Sequence, residues 1–474
     1  MAARSKGMTF EKAVCARTWA SETFGGARLQ DRRRTDRLVA MAARAAESPH
    51  GTVTGVFPSS AEREGVFRLL ESSEISSEAV MAAVMGAGAR RCRSERIVYM
   101  PVDSTSLTLT DYSGRRELGR VGSRISARGL QVMNALAVDT NGATVGLVDQ
   151  RWWARNQPPK IKRAVDQKCR TTTFSKRETR FWLETVTAVE QRLNDESPNT
   201  IAWYQLDRGA DCWPVLQLAT ERNLLMTVRA VHNRRIVRDD GRVAHLSSTL
   251  RRQPILGEYP LDIPERGERP ARRARIALRA CSVTIHAKVD SRKRIALRLN
   301  AVLAEEVGSH RRERVRWLLL TTHPIASFKH ALSIVRGYTM RWRIEELHRA
   351  WKRGLCNVED TQLHGRSAII KWATVLATVA ARAVRLAYLF RNSPDQPASN
   401  EFTEYEIDAA FILTKRKRDR RRHVTLRQVI DMIADLGGFA HKYSGGFPGP
   451  TVIGRGLDRV QVLATGLENM DKMR

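Results

Sequence analysis

The chain has 474 residues, and 81 Lys plus Arg against 50 Asp plus Glu leave a formal charge of +31. Apolar residues make up 42% of it, enough for a core, so a mostly disordered chain is excluded. So large a positive excess repels other copies and attracts polyanions, and nucleic acid is the default partner. Membrane is the competing polyanion, but the longest apolar stretch, Ala373 to Phe390, is broken by Arg382 and Arg385 and reads as a buried helix. MAARSKGMTF at the start carries no signal-peptide pattern. The six cysteines contain no C-x-x-C pair, so the expectation is a reducing cytoplasm and no zinc knuckle.

In chain order, residues 1–75 read as a basic helical module. Arg28 to Ala45 places Leu38, Met41 and Ala42 on one face and opens on the run Arg32, Arg33 and Arg34. That run is either a DNA contact or a solvated charged face. Ser59 to Leu70 opens like a capped helix. From Ile97 the apolar period drops to two. Ile97 to Asp103 and Ser106 to Thr110 read as strands, and Leu130 to Gln150 as two more hinged at Asn141-Gly142. A helix over about 178–193, a strand over 201–207, a helix over about 211–221 and a strand over 224–229 follow, the order of a mixed α/β sheet. Residues 230–316 read as a mostly β insertion with basic loops around 266–275. A strand over 317–322 resumes the sheet. Two long helices come next, over about 325–359 with a break near Gly337 and over about 367–391. Residues 391–400 have linker composition. The region 392–474 adds a basic run over 415–422, a short helix over 426–436 and an amphipathic stretch from Gly456.

Asp103 and Asp207 each close an apolar strand. A strand-end Asp commonly caps the next turn, but two on adjacent strands can hold a divalent cation through oxygen. The third element is YTMRWRIEELHRAWK. With Tyr338 at zero on a helical wheel, Arg341, Glu345 and Lys352 fall at about 300°, 340° and 320°, so the carboxylate is flanked by cations on one stripe. Glu346 lies off that stripe, at about 80°, and Glu359 further along the chain. Ordinary surface ion pairs are the alternative. His232 and His348 lie near these motifs, but a lone His is more often structural.

The spacing Tyr338-x2-Arg341-x3-Glu345-x6-Lys352 resembles the Y-R-E-K signature of bacterial cut-and-paste transposases of the Tn-five type, within the insertion-sequence-four family. VDSTSL around Asp103, LDRGAD around Asp207, LNAVLAEE in the insertion and the late LGGF extend the resemblance, in order, over nearly the whole chain. It implies a ribonuclease H-like mixed-sheet core with a β-rich insertion, over residues 76–391, between helical N- and C-terminal domains. Asp103, Asp207 and Glu345 would form a DDE triad. Tyr338, Arg341 and Lys352 would grip phosphates near the cut end, Arg229 would approach the same DNA, and Trp317 would stack on a flipped base. A core aromatic at a strand start is the other reading of Trp317. The N-terminal module would recognise the terminal inverted repeat, and the C-terminal region would pair two protomers into a homodimer.

In-line displacement at a phosphodiester suits two Mg²⁺ ions about 3.5–4 Å apart, held by carboxylates, with Mn²⁺ as a substitute. The leading expectation is therefore a transposase on double-stranded DNA that nicks, forms a hairpin, reopens it and transfers strands, in a bacterial cytoplasm at the nucleoid. A catalytically silent DNA-binding regulator of transposition and a hydrolytic nuclease that joins no strands are the alternatives.

Overall fold

The computed structural model describes residues 16–473 except 112–113, 115, 123–125, 156–176, 239–240, 264, 266–269, 289–293, 309–313 and 442–445. The chain opens on helices α1 (Ala16–Phe24), α2 (Arg32–Glu47), α3 (Val53–Val56), α4 (Ser60–Glu71) and α5 (Ser77–Arg91). Helix α2 starts four residues later than its apolar pattern suggests. Gln30 takes a positive φ of 68°, and Asp31 caps the helix by accepting from the Arg33 N–H at 2.8 Å, which satisfies one of the free first-turn donors.

Strand β1 (Ile97–Leu109) is one strand where two were expected. It runs antiparallel to β3 (Arg128–Val138) without interruption from Val102↔Ala135 to Leu109↔Arg128, so the polar Ser104–Ser106 segment is carried by continuous pairing. Beyond it lie β2 (Gly119–Arg120) and β4 (Thr144–Trp153). The Asn141-Gly142 turn joins β3 to β4, with Gly142 at a φ of 96°, a conformation that favours glycine. Helix α6 (Arg180–Glu196), β5 (Ile201–Leu206), α7 (Trp213–Glu221) and β6 (Leu225–Arg229) follow, with β5 parallel to both β1 and β6.

The insertion supplies β7 (Arg235–Val237), β8 (Val243–His245), α8 (Leu246–Arg252), β9 (Gly257–Ile263) and the long pair β10 (Arg272–Lys288) and β11 (Arg294–Glu306). Its strands join the main sheet through β12 (Arg316–Thr321), which pairs with both β6 and β11. One mixed sheet of twelve strands results, in the order β2-β3-β1-β5-β6-β12-β11-β10-β7-β8, with β4 on β3 and β9 on β10.

Helices α9 (Phe328–Thr339), α10 (Trp342–Lys352), α11 (Arg366–Asn392), α12 (Glu404–Leu413), α13 (Leu426–Leu436) and α14 (Pro450–Lys472) complete the chain. The break in the first long helix falls at Met340–Arg341, three residues beyond Gly337. Gly337 serves a close approach instead: a Cβ there would stand 2.9 Å from the Tyr99 ring. Helix α14 begins at Pro450, a turn and a half before Gly456, with proline in the first helical turn where its missing N–H costs nothing.

Strand alternation divides the core. Val98, Met100 and Val102 face α6 and α7, while Leu107, Leu130, Val132 and Leu136 face α10 and α11. Asp103 has the parity of Leu107 and so points to the α10 side. Helix α11 is long and apolar enough to cross a membrane, but 83% of its apolar window is buried inside the fold. It is the core helix its arginines suggested. The N-terminal helices share the core of α10 and α11. Trp372 of α11 is fully buried and donates from Nε1 to the Gly51 carbonyl at 2.7 Å. Lys371 Nζ donates to the Ser72 carbonyl at 3.0 Å, and Glu71 accepts from the His364 N–H at 3.1 Å. The described cysteines Cys92, Cys212 and Cys356 are free thiols.

Candidate active site

The parallel register Val102↔Leu206 sets the next residues, Asp103 and Asp207, at the same level on adjacent strands. Strand β5 ends there, and β1 continues against β3 alone, opening a gap at the carboxyl end of β5. Asp207 caps the turn after its strand, its Oδ1 accepting from the Gly209 N–H at 2.7 Å. That bond engages one oxygen, so capping and a site role are compatible. Asp103 Oδ1 accepts from the Ser104 N–H at 2.8 Å.

Arg341 stands at the start of α10 and joins the third carboxylate to the first. It donates from Nη1 to Asp103 Oδ2 at 2.8 Å and from Nη2 to Glu345 Oε1 at 3.2 Å. Burial works against its charge, but Asp103, Tyr338 and Glu345 outweigh burial and raise its pKa. Asp103 is pushed up to about 7 by burial first, then by Asp207 and, less, by Glu345; Arg341 and the Ser104 N–H pull the other way. A carboxylate cluster this repulsive calls for positive charge, and here a guanidinium supplies part of it. Among the described residues no three carboxylate, His or Cys side chains gather closely enough to hold one ion.

The raised Asp103 pKa carries a pH dependence. Between pH 4 and 7 the folded state holds a proton that the unfolded state has released, so stability from this group is full below about pH 4 and lost as pH rises through about 7. In EDTA, thermal unfolding is expected to show the parent losing Tm relative to Asp103→Asn across pH 5–8. Parallel Tm profiles would contradict it.

Around this centre, Lys352 on the last turn of α10 reaches Thr105 Oγ1 of β1 at 3.4 Å and Glu359 at 3.6 Å. Glu359, set aside on sequence grounds, also accepts from the Thr108 N–H at 2.7 Å, pinning Lys352 beside β1. Tyr338 does not share the α10 stripe. It lies on the last turn of α9, 4% exposed, edge-on to Trp317 with ring centroids 5.5 Å apart. Burial raises its pKa, opposed by Arg341 and Arg229. Trp317 is half-buried at the start of β12. Arg229 ends β6, hydrogen-bonded to Tyr338, and burial lowers its pKa.

Beneath Asp103 runs a buried polar chain that the sequence does not announce. Thr374 Oγ1 donates to Gln150 Oε1 at 2.9 Å, Gln150 Nε2 donates to Asn134 Oδ1 at 2.8 Å, and Asn134 Nδ2 meets His348 Nε2 at 3.0 Å. With Asn134 Oδ1 accepting, its Nδ2 must donate, so His348 Nε2 accepts and the ring is neutral. Burial accordingly takes its pKa down to about 3. Asn134 is the antiparallel partner of Asp103, and His348 lies one turn after Glu345. The chain thus ties α10 and α11 to β3 and β4, the first of which pairs with the strand that carries Asp103. His348 is structural and His232 is exposed.

The arginine run lies at the start of α2. Arg32 is exposed and paired with Asp36 at 2.9 Å, Arg33 is exposed, and Arg34 pairs with Glu74. Helices α1–α4 that carry and surround this run coincide with a known module: residues 16–75 match the family model described as transposase DNA-binding.

Proposed function

We propose that the chain is a cut-and-paste transposase of the DDE type, with a ribonuclease H-like core, which binds terminal inverted repeats, cuts through a hairpin intermediate and joins the freed 3′ ends to target DNA as a homodimer. The observation that carries this is the grouping of Asp207 and Glu345 near Asp103, with Arg341 bonded to Asp103 and Glu345, in a chain with a transposase DNA-binding module at its start. The donor chemistry suits a hard divalent cation, all oxygen and mutually repulsive, with Arg341 already drawn between Asp103 and Glu345, and the three carboxylates would have to close further to share one ion. Asp103, Asp207 and Glu345 would hold Mg²⁺ or Mn²⁺, which when bound supplies activation of the attacking oxygen and charge stabilisation at the leaving one. Arg341, released from Asp103 and Glu345 as their charge is neutralised, would turn to a phosphate. Lys352, held beside Thr105, would grip the same strand as a point charge. Trp317, braced edge-on by Tyr338, offers a stacking surface for an extruded base, worth roughly 1–3 kcal/mol.

A catalytically silent regulator is the second reading, favoured by the absence of a closed three-ligand group among the described residues. An end-labelled duplex from the ends of the element, incubated with the protein and Mg²⁺ or Mn²⁺, separates the two. Nicked, hairpin and then target-joined products are expected. Binding without cleavage in either metal would establish the regulator, and cleavage without joining a nuclease. In the same assay Trp317→Ala is expected to slow hairpin formation about 5- to 160-fold, the kinetic equivalent of the lost stacking, and nicking less. Equal slowing of both steps would reduce Trp317 to a packing residue.

A further inference from the structure

A second cationic feature opens next to the carboxylates and is not used by the chemistry above. A cavity of about 390 Å³ lies between the ends of β5, β6 and β12 and helix α8, lined by Arg208, Arg229, Arg251 and Arg316 with Asn233 and Ser247 and, among the described residues, by no acidic side chain. One end of the sheet brings these arginines together, since β5 and β6 finish where the antiparallel β12 begins. Arg208 directly follows Asp207, and Arg229 closes β6. Arg251 sits in the last turn of α8, and Arg316 opens β12.

Their charge is poorly compensated. Glu305 Oε1 alone faces three guanidiniums, Arg314 at 3.2 Å, Arg251 at 3.5 Å and Arg316 at 3.8 Å. Burial, then Arg251, lowers the Arg316 pKa, with Glu305 opposing. Burial also lowers that of Arg229, with Arg208 adding to it and Tyr338 opposing. The polar groups are set as donors. Arg316 is steadied by Ser247 Oγ at 2.6 Å. Asn233 Oδ1 is occupied by the Ser247 N–H at 2.9 Å, which leaves its amide N–H₂ for a ligand. Converging guanidiniums with no carboxylate among the described lining residues repel one another, and a phosphate oxyanion relieves that repulsion.

We propose that this cavity seats a backbone phosphodiester of double-stranded DNA, so that the bound duplex runs from the carboxylates across β6 and β12 onto the insertion; this rests on reading Asp103, Asp207 and Glu345 as the DNA-cutting centre. The insertion is then a backbone clamp beside the cut, reading charge and not sequence.

Phenylglyoxal modification of arginines, mapped by peptide mass spectrometry on the full chain in EDTA, tests it, with no addition, with random-sequence duplex, or with inorganic phosphate. Duplex is expected to protect Arg208 and Arg251 while Arg273, exposed on β10, reacts as before. Separately, Arg251→Gln/Arg316→Gln is expected to reduce the slope of log affinity against log salt by about 1, for the one phosphate the cavity seats, with Arg273→Gln/Arg275→Gln leaving it unchanged. Unchanged reactivity at Arg208 and Arg251 with protection confined to Arg32 and Arg33 would overturn the clamp and leave the transposase reading standing. So would an unaltered salt slope. Protection by inorganic phosphate but not by duplex would make the cavity a small-anion site and overturn it equally. A parent protein that binds no duplex at any salt would bring down the functional reading itself.

Discussion

Asp103→Ala and Glu345→Ala are each expected to lower strand nicking by about 10²- to 10³-fold or more, the scale of losing preorganised charge stabilisation at a reacting centre. Binding of the same duplex should persist, because residues 16–75 are untouched. Asp103 is the more telling of the two. It is more buried than Glu345, it shares its strand level with Asp207, and it accepts the shorter of the two Arg341 bonds. Removing it also leaves Arg341 with Glu345 as its remaining acidic partner. Cleavage by single-turnover assay and binding by gel shift, on the same preparations, separate chemistry from recognition. Variants that cut as well as the parent would refute the assignment of the centre.

The second large effect is structural. Trp372→Ala removes a fully buried aromatic that leans on Phe57 and satisfies the Gly51 carbonyl. A cost of about 3–5 kcal/mol is expected from the cavity, with a buried acceptor left open besides. The loss should appear first at the docking of residues 16–75, since Trp372, Lys371 and His364 are the ties that hold the module to α11 and the loop before it. Limited proteolysis is expected to cut the variant within the first 75 residues under conditions where the parent is intact. Trp372→Phe, which keeps most of the volume, should lose about 0.5–1.5 kcal/mol, the net worth of one hydrogen bond. An unaltered denaturation midpoint and digestion pattern for Trp372→Ala would contradict the docking role.

What the sequence could and could not disclose follows from the range of the interactions. Period-two apolar patterns find the strands that carry Asp103 and Asp207, although β1 runs on past Asp103 to Leu109 where an end was expected, and the 3.6-residue period places Glu345 and Lys352 on one helix, because these are local signals. Tyr338 was grouped with them on the assumption of a single helix. Gly337 looked like the break, yet its missing side chain answers the Tyr99 ring across the core, a contact 238 residues away. The Asn134–His348 bond spans 214 residues and Thr374–Gln150 spans 224; neither leaves a trace in local pattern. Lys352 was legible as a cation, but its partner Glu359 was not, since the link runs through β1. The insertion read as mostly β, while its pairing to β12, and so its membership of the main sheet, is a long-range fact.

The module at the start and the carboxylates are parts of one block, because the α11 that Trp372 anchors also shares the core behind Asp103. In the proposed reaction such a block works as a ruler. The number of base pairs between the recognised sequence and the severed bond would be fixed by protein length, so a DNA end with one pair inserted would present the wrong phosphate to the carboxylates.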